Sequence, residues 1–477
     1  MANSVGTAMR HSEDDDRRIE ADSRSLSRIL AGKVNRLSFE ALAPEVVDKV
    51  RIALLDFLSC ALEAKDLPWS RQAIRLAASR AGTVPVIGTA FRTSPSEAAF
   101  ANAVLGHGLV REDMHTASVS HLGVVVLPTL LALSQRVGMT GRDFIVAAVA
   151  GYEAGAALGR AIVDGDLVRR FRPTGITGPI AGAVAGCRLL RLDPDRTVNA
   201  IGLAANTTGG FNEWAIAGGE EMFFHPGFAA RNAVTAVELA KFGARASETA
   251  LDGPSGLFAG YGRGARAAAM KPFSGPAFEI MSVYHKPAPA CNYAQTACQA
   301  ALALAERPDF DSAALREIVI AAPQAAVAYP GCNFAGPFDG PLRAKMSIPF
   351  SVAATLAHRR LAEENYRDLR QRDVLRLVAL TRLVEDTAFT AAYPAMQGAQ
   401  VALRFADGGT AVRRLDDLVP ARPDEIRARF RSAGGRVLGI AATSAVEHFV
   451  GDLERHDALA DLGNLLSTAK RSTAYHG

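Results

Sequence analysis

Cysteine is scarce in this chain. Cys60, Cys187, Cys291, Cys298 and Cys332 are its five cysteines, scattered over 477 residues. Their spacings suit neither a zinc ribbon nor a disulfide framework, so the sequence predicts buried thiols in a reducing cytoplasm. Charge of one sign is also lacking. Lys and Arg number 53 against 49 Asp and Glu, a net of +4. No basic run is interleaved with aromatics, which excludes the usual footprint of a nucleic-acid binder. Long apolar runs are few. Residues 122–133 form the longest, too short to span a bilayer and containing Pro128. No membrane partner is therefore expected. Residues 11–18, rich in Asp and Arg, offer no apolar segment for a secretory signal, and residues 1–22 read as a solvated tail. There is no internal repeat and no Gly-x-Gly-x-x-Gly following a strand.

What is present is helical period. Ser94-Pro95-Ser96-Glu97 reads as a capping box opening a helix that stops near Gly106 or Gly108. Residues 142–162 and 228–242 carry apolar residues at three and four spacing, the second ending at Gly243. Residues 176–190 are rich in Gly and Ala, which predicts a central, closely packed helix. After about Pro272 the pattern changes. Residues 317–321 read as a buried strand, and residues 400–405 and 410–414 as a hairpin turned by Asp407-Gly408-Gly409. Helical stretches at 293–305 and 347–361 lie between them. The fold class expected is mainly α with a smaller α+β domain. The helical domain spans 23–275, completed by 446–470, and the α+β domain spans 276–445.

Residues 102–128 concentrate the titratable groups. His107, His115 and His121 fall there with Glu112 and Asp113, between apolar, helix-prone flanks. A polar loop held by buried elements is a usual seat of function. The histidines lack the spacing of a His-Glu-x-x-His helix, so no metal is expected. His107, at a helix end, reads as structural.

Five segments in order resemble the MmgE/PrpD family, which includes 2-methylcitrate dehydratase, cis-aconitate decarboxylase and iminodisuccinate epimerase. They are residues 102–128, Phe171-Arg172-Pro173-Thr174-Gly175, His225-Pro226-Gly227, Lys286-Pro287-Ala288-Pro289-Ala290-Cys291 and Lys345-Met346-Ser347-Ile348-Pro349-Phe350. The resemblance implies a large helical domain, a smaller α/β lid domain, a site in the cleft between them, no cofactor and a homodimer. There are departures. Val110-Arg111-Glu112-Asp113-Met114-His115 stands where the family usually reads Asp-Phe-Asp-Asp-Thr-His. Arg172 and Gln295 stand where histidines are usual, and Met222 where a lysine is.

The implied chemistry labilises a proton or carboxylate next to another carboxylate. It needs a base, cations for the substrate's carboxylates and stabilisation of enolate charge. His121 is the expected base. Lys286 is expected to bind a carboxylate or stabilise the enolate. Asp113 and His115 share a face if their segment is extended, and form either an acid–base couple or a solvated polar loop. Arg172 is expected to take a carboxylate through paired hydrogen bonds. His225, Tyr293 and Arg343 complete the expected substrate-binding set. The function expected is a cofactor-independent, cytoplasmic lyase, of dehydratase or decarboxylase type, acting on a small di- or tricarboxylate. An epimerase of a polycarboxylate and a catalytically silent paralogue are the alternatives.

Overall fold

The computed structural model describes residues 25–135 and 138–468. The expected tail at 1–22 lies outside the described residues. The first body of helices comprises α1 (Pro44–Ala64), α2 (Pro95–His107), α3 (Gly123–Leu133), α4 (Gly141–Ile162), α5 (Pro173–Leu189) and α6 (His225–Lys241). α5 is the central member and packs against α3, α4 and α6. Its small residues make that packing close. A Cβ on Gly182 would stand 2.7 Å from the Cβ of Ala233 on α6, so only glycine allows these two axes to approach so far. α4 is long and apolar enough to cross a membrane, but 94% of its apolar window is buried within this core.

The expected capping box does not form. Pro95 occupies the first turn of α2, but the Ser94 side chain caps nothing. Its Oγ lies 3.4 Å from Ser96 Oγ, and Glu97 instead accepts from Arg231 of α6 at 2.6 Å. A tertiary ion pair has taken the carboxylate that the local motif requires.

A two-residue antiparallel ladder links the helical body to the sheet-bearing half of the chain. β1 (Met114–His115) pairs with β2 (Val283–Tyr284), Met114 opposite Tyr284 and His115 opposite Val283. Thus the chain before Lys286 is laid beside the histidine-rich loop. Next comes α7 (Gln295–Ala305), then β3 (Leu315–Ala322), α8 (Ile348–His358), β4 (Thr381–Glu385), β5 (Ala399–Phe405) and β6 (Thr410–Leu415). The sheet order is β4-β3-β5-β6, with β3 and β4 parallel and the other neighbours antiparallel. Ile318, Ile320 and Ala322 alternate inward on β3, as do Val401 and Leu403 on β5, and α7 and α8 pack together beside the sheet. The turn between β5 and β6 holds Gly408 at φ 85°, as the Asp-Gly-Gly sequence predicts.

The return to the helical body begins earlier than the expected 446. Ala421 already belongs to the first core, and α9 (Pro423–Val437) packs along α1 through Ile426, Phe430 and Ala433. These recur at four and three residues, a helical stripe that Arg-rich intervening sequence obscures. α10 (Ile440–Gly451) comes after it.

Two large apolar cores and one small cluster result among the described residues. The second mixes residues of both halves of the chain: Trp69, Phe100, Trp214 and Phe223 join Tyr293, Ile320, Phe350 and Val401. The Trp69 and Phe223 rings stack at 3.8 Å within it. The site lies at this seam.

Candidate active site

The loop between α2 and α3 is held in an unusual backbone. Val110 and Val119 adopt φ of 56° and 49°. Left-handed backbone is uncommon for a β-branched residue and costs on the order of 1–3 kcal/mol, a burden that clusters at functional sites. Both valines line a small cavity with Met114, His121, Arg172, Cys291, Asn292, Tyr293, Tyr329 and Met346. The cavity is small, about 10 Å³, room for about one water.

His121 is fixed by its surroundings. Its backbone N–H donates to Thr174 Oγ1 at 3.0 Å, at the start of α5. Its Nδ1 lies 3.0 Å from the Asp113 carbonyl oxygen and 3.0 Å from Glu112 Oε1. A carbonyl can only accept, so Nδ1 carries the proton and Nε2 presents its lone pair. Among the described residues, no protein group bonds that Nε2. Burial, with Lys286 and Arg172 adding to it against the pull of Glu112, lowers the His121 pKa to about 3, so the ring is neutral at pH 7.

Glu112 is the hub. Its Oε1 also meets His107 Nδ1 at 2.5 Å. Burial opposes its charge, but His107 and His121 outweigh this and hold the carboxyl well below its usual range. The carboxylate therefore accepts from both Nδ1–H groups. His107 is thus part of the cluster, and its Nε2 lies 3.5 Å from Arg172 Nη2. Arg172 precedes Pro173 at the N-terminus of α5, is 5% exposed, and also donates to Tyr329 Oη at 3.3 Å. It is not part of a solvated basic turn.

Lys286 is fully buried and does not line the cavity. Nζ donates to Ala290 O at 3.2 Å, and no other protein acceptor takes its remaining protons among the described residues. Burial lowers its pKa, while Glu112 and Cys291 pull the other way. Gln295, in the place of a usual histidine, has become structural. It accepts from Ala288 N at 2.9 Å and donates to the carbonyls of Ala288, Ala290 and Cys291 at 3.1, 3.0 and 3.0 Å, clamping the link that carries Lys286. Met222 is buried in the second core.

Asp113 and His115 do share a face, but it is the face away from the cavity; Met114 takes the cavity side. Both are buried, which overturns the solvated-loop expectation. Nor are they a couple. Asp113 accepts from Gly123 N at 3.2 Å and from Tyr152 Oη, capping α3. His115 Nε2 meets Glu279 Oε2 at 3.0 Å, its Nδ1 meets Ser118 Oγ at 2.8 Å, and Glu279 also pairs with Arg160.

Tyr293 lines the cavity and its hydroxyl lies 3.1 Å from Tyr393 Oη. His225 opens α6, and burial, with Arg172 and His107 adding to it, lowers its pKa to about 3; its Nδ1 is buried without a partner. Arg343 is elsewhere. It donates to Ile216 O at 2.8 Å, pairs with Asp339 at 3.3 Å and does not line the cavity. Sequence reasoning missed Glu112, Cys291 and Tyr329. Glu112 was within reach, since a carboxylate in a loop of three histidines is itself a signal; Tyr329 lies in no motif.

The fold and site define a two-domain, mainly helical protein with a buried acid–base cluster at the domain seam. The MmgE/PrpD N-terminal domain matches residues 28–269 and the MmgE/PrpD C-terminal domain matches residues 288–454. The chain belongs to the MmgE/PrpD family. It is similar to the cis-aconitate decarboxylase-like protein oryM of Aspergillus oryzae, 32% identical over 224 residues, 45% of this chain and 46% of that one. It is also similar to cis-aconitate decarboxylase of Aspergillus terreus, 29% identical over 249 residues, 50% of this chain and 51% of that one. The chain spans about half the length of the curated relatives it matches.

Proposed function

We propose that the protein is a cofactor-independent lyase that acts on a small di- or tricarboxylate at the carbon next to a carboxylate. The observation that carries this is the neutral His121, locked as its Nδ1–H tautomer, with an unpartnered Nε2 at a cavity that also holds Arg172. In this reading Arg172 receives a substrate carboxylate through parallel N–H donors. His121 Nε2 moves the proton at the adjacent carbon. Lys286 supplies positive potential that lowers the energy of the developing enolate. Glu112 keeps the imidazole oriented and stabilises its cationic form. The curated relatives support the lyase class through the reaction in their names.

The cavity walls favour some chemistries over others. Val110 and Met114 are apolar, and the lining includes no carboxylic acid. Expelling hydroxide needs an acid at the leaving group, which here would have to be a tyrosine, cysteine or histidine. Decarboxylation does not: losing CO₂ leaves the electrons on carbon, which then takes a proton. Epimerisation does not need one either, and is the second reading, with His121 and Lys286 as a two-base pair. We further propose a homodimer in the cytoplasm. The outer face of α6 supports assembly, since Phe228 and Leu239 are 47% and 44% exposed and Phe242 beyond it 79%. Light scattering at the mass of two chains is the expected result.

Proton NMR in D₂O with 2-methylcitrate, cis-aconitate, tartrates and iminodisuccinate tests the reaction. Loss of carboxylate or a new vinyl signal is expected. Deuterium wash-in with interconversion of diastereomers would replace the lyase by the epimerase. Spectra unchanged across the panel would count against both.

A further inference from the structure

A second reactive pair adjoins the cavity, and nothing in the proposed reaction uses it. Cys291 lines the cavity, and its Sγ lies 3.5 Å from Sγ of Cys332. Both thiols are buried and free. Their backbones are held from separate directions: Cys291 N donates to Lys345 O at 2.8 Å, Cys332 N to Tyr329 O at 3.1 Å, and Cys332 O accepts from Ile348 N at 2.9 Å. The sulfur atoms are thus kept in contact by the fold, although 41 residues separate them in the chain.

We propose that Cys291 and Cys332 form a redox-modifiable dithiol, in which Cys291 reacts with small peroxides reaching the cavity and then closes to a disulfide with Cys332. The Cys291 thiolate attacks one peroxide oxygen. The O–O bond breaks, hydroxide leaves and is protonated to water, and Cys291 becomes a sulfenic acid. The Cys332 sulfur, giving up its proton, attacks the Cys291 sulfur. An S–S bond forms, the S–O bond breaks and a second water leaves. Two thiols are oxidised by two electrons and one peroxide is reduced to two waters. The sulfurs must close from contact to about 2 Å. The product ties the cavity wall to the turn at Tyr329, beside Arg172. A dithiol reductant reverses it by exchange.

The environment selects this pair over the other three cysteines. Burial opposes ionisation of Cys291, but the Cys332 thiol, the Tyr293 backbone N–H, Lys286 and Arg172 together pull its pKa below that of a free thiol. Burial pushes Cys187 and Cys298 up to about 12 and raises Cys60 as well, so these stay protonated and slow to react.

The test uses the full chain, native, treated with hydrogen peroxide, then alkylated and weighed intact and after digestion. The expected result is two fewer alkyl groups than the untreated chain takes up under denaturing conditions, with Cys291 linked to Cys332 in the digest. The link should persist in Cys298→Ser. It should vanish in Cys332→Ser, where Cys291 should instead be trapped as sulfenic acid by dimedone. Dithiothreitol should restore five alkylatable thiols. A wild-type protein that keeps all its thiols, a link between other cysteines, or the same loss of two alkyl groups in Cys332→Ser would each overturn the proposal. None of these readouts depends on the reaction proposed above.

Discussion

Among the described residues two lysines are fully buried, Lys286 and Lys345, and they are used in opposite ways. Lys345 is saturated: Nζ pairs with Glu363 and donates to Leu109 O at 3.1 Å and Pro289 O at 3.4 Å. It joins three separated segments, and its ring of acceptors uses all three protons. Lys286 has one acceptor, the Ala290 carbonyl. Glu112, the carboxylate that pulls most on it, meets two histidines through Oε1 alone, and its Oε2 is buried without a partner. A buried charge that is fully bonded stabilises a fold or marks its register; one left partly bonded retains capacity for a charge that arrives later. Burial lowers both lysines, so desolvation alone does not separate the two uses. The partners do.

The comparison breaks most sharply at the cavity. His121→Ala should cut turnover by about 10²–10⁴-fold while leaving thermal stability within a few degrees, and Lys286→Met should do the same. Steady-state rates and melting curves read both. Lys345→Met should show the converse, a stability loss of about 3–5 kcal/mol from the stranded Glu363 carboxylate. Urea unfolding would measure it, and the double variant Lys345→Met with Glu363→Leu should recover most of the loss. If the double variant is no better than the single, the pair is not a closed structural unit.

Glu112→Gln sharpens the picture at smaller amplitude. The amide can donate where the carboxylate accepted, loosening the tautomer of His121, and turnover should fall by roughly 10-fold or more with little change in KM. Unchanged kcat would remove Glu112 from any positioning role. A further effect is in acid. His115, His121 and His225 have pKa values of about 4, 3 and 3, lowered chiefly by burial, against 6.5 when unfolded. Unfolded histidines therefore take up protons below pH 6.5 that the folded ones refuse, and stability falls as pH drops through that window. Glu153 acts oppositely, its carboxyl raised by burial to about 7 from 4.5, so its contribution is lost as pH rises through 7. Near pH 5.5 the three histidines together outweigh Glu153, so among these four groups unfolding takes up protons, read from the slope of stability against pH.

Much of the fold is legible in the sequence because helical period survives there. Gly182 and its neighbours announce a close-packed helix, and Asp407-Gly408-Gly409 announces a hairpin, since each signal is local. The C-terminal return at Ala421 is not legible, because arginines dominate the stretch that hides Ile426, Phe430 and Ala433. The site is legible in part. The loop, His121 and Arg172 are marked by residue type and by family pattern. Which face of the loop meets the cavity is not, because β1 pairs with a strand far along the chain and that ladder sets the facing. For the same reason residue type alone puts Asp113 and His115 on the wrong side, and Arg343, a plausible carboxylate ligand by type, is drawn off by Ile216 and Asp339. The contact between Cys291 and Cys332 has no sequence signal at all.

A cavity with room for one water has a kinetic consequence for whatever the protein binds. A tricarboxylate is many times larger, so only molecules whose seam has transiently parted can accept it. Apparent affinity is then the intrinsic affinity multiplied by the fraction of time spent parted. Association will be slower than electrostatic attraction to Arg172 would allow, and release slower still. Inhibitors that resemble the bound state should show slow onset and long residence, and a substitution that merely loosens the Trp69–Phe223 stack should accelerate both.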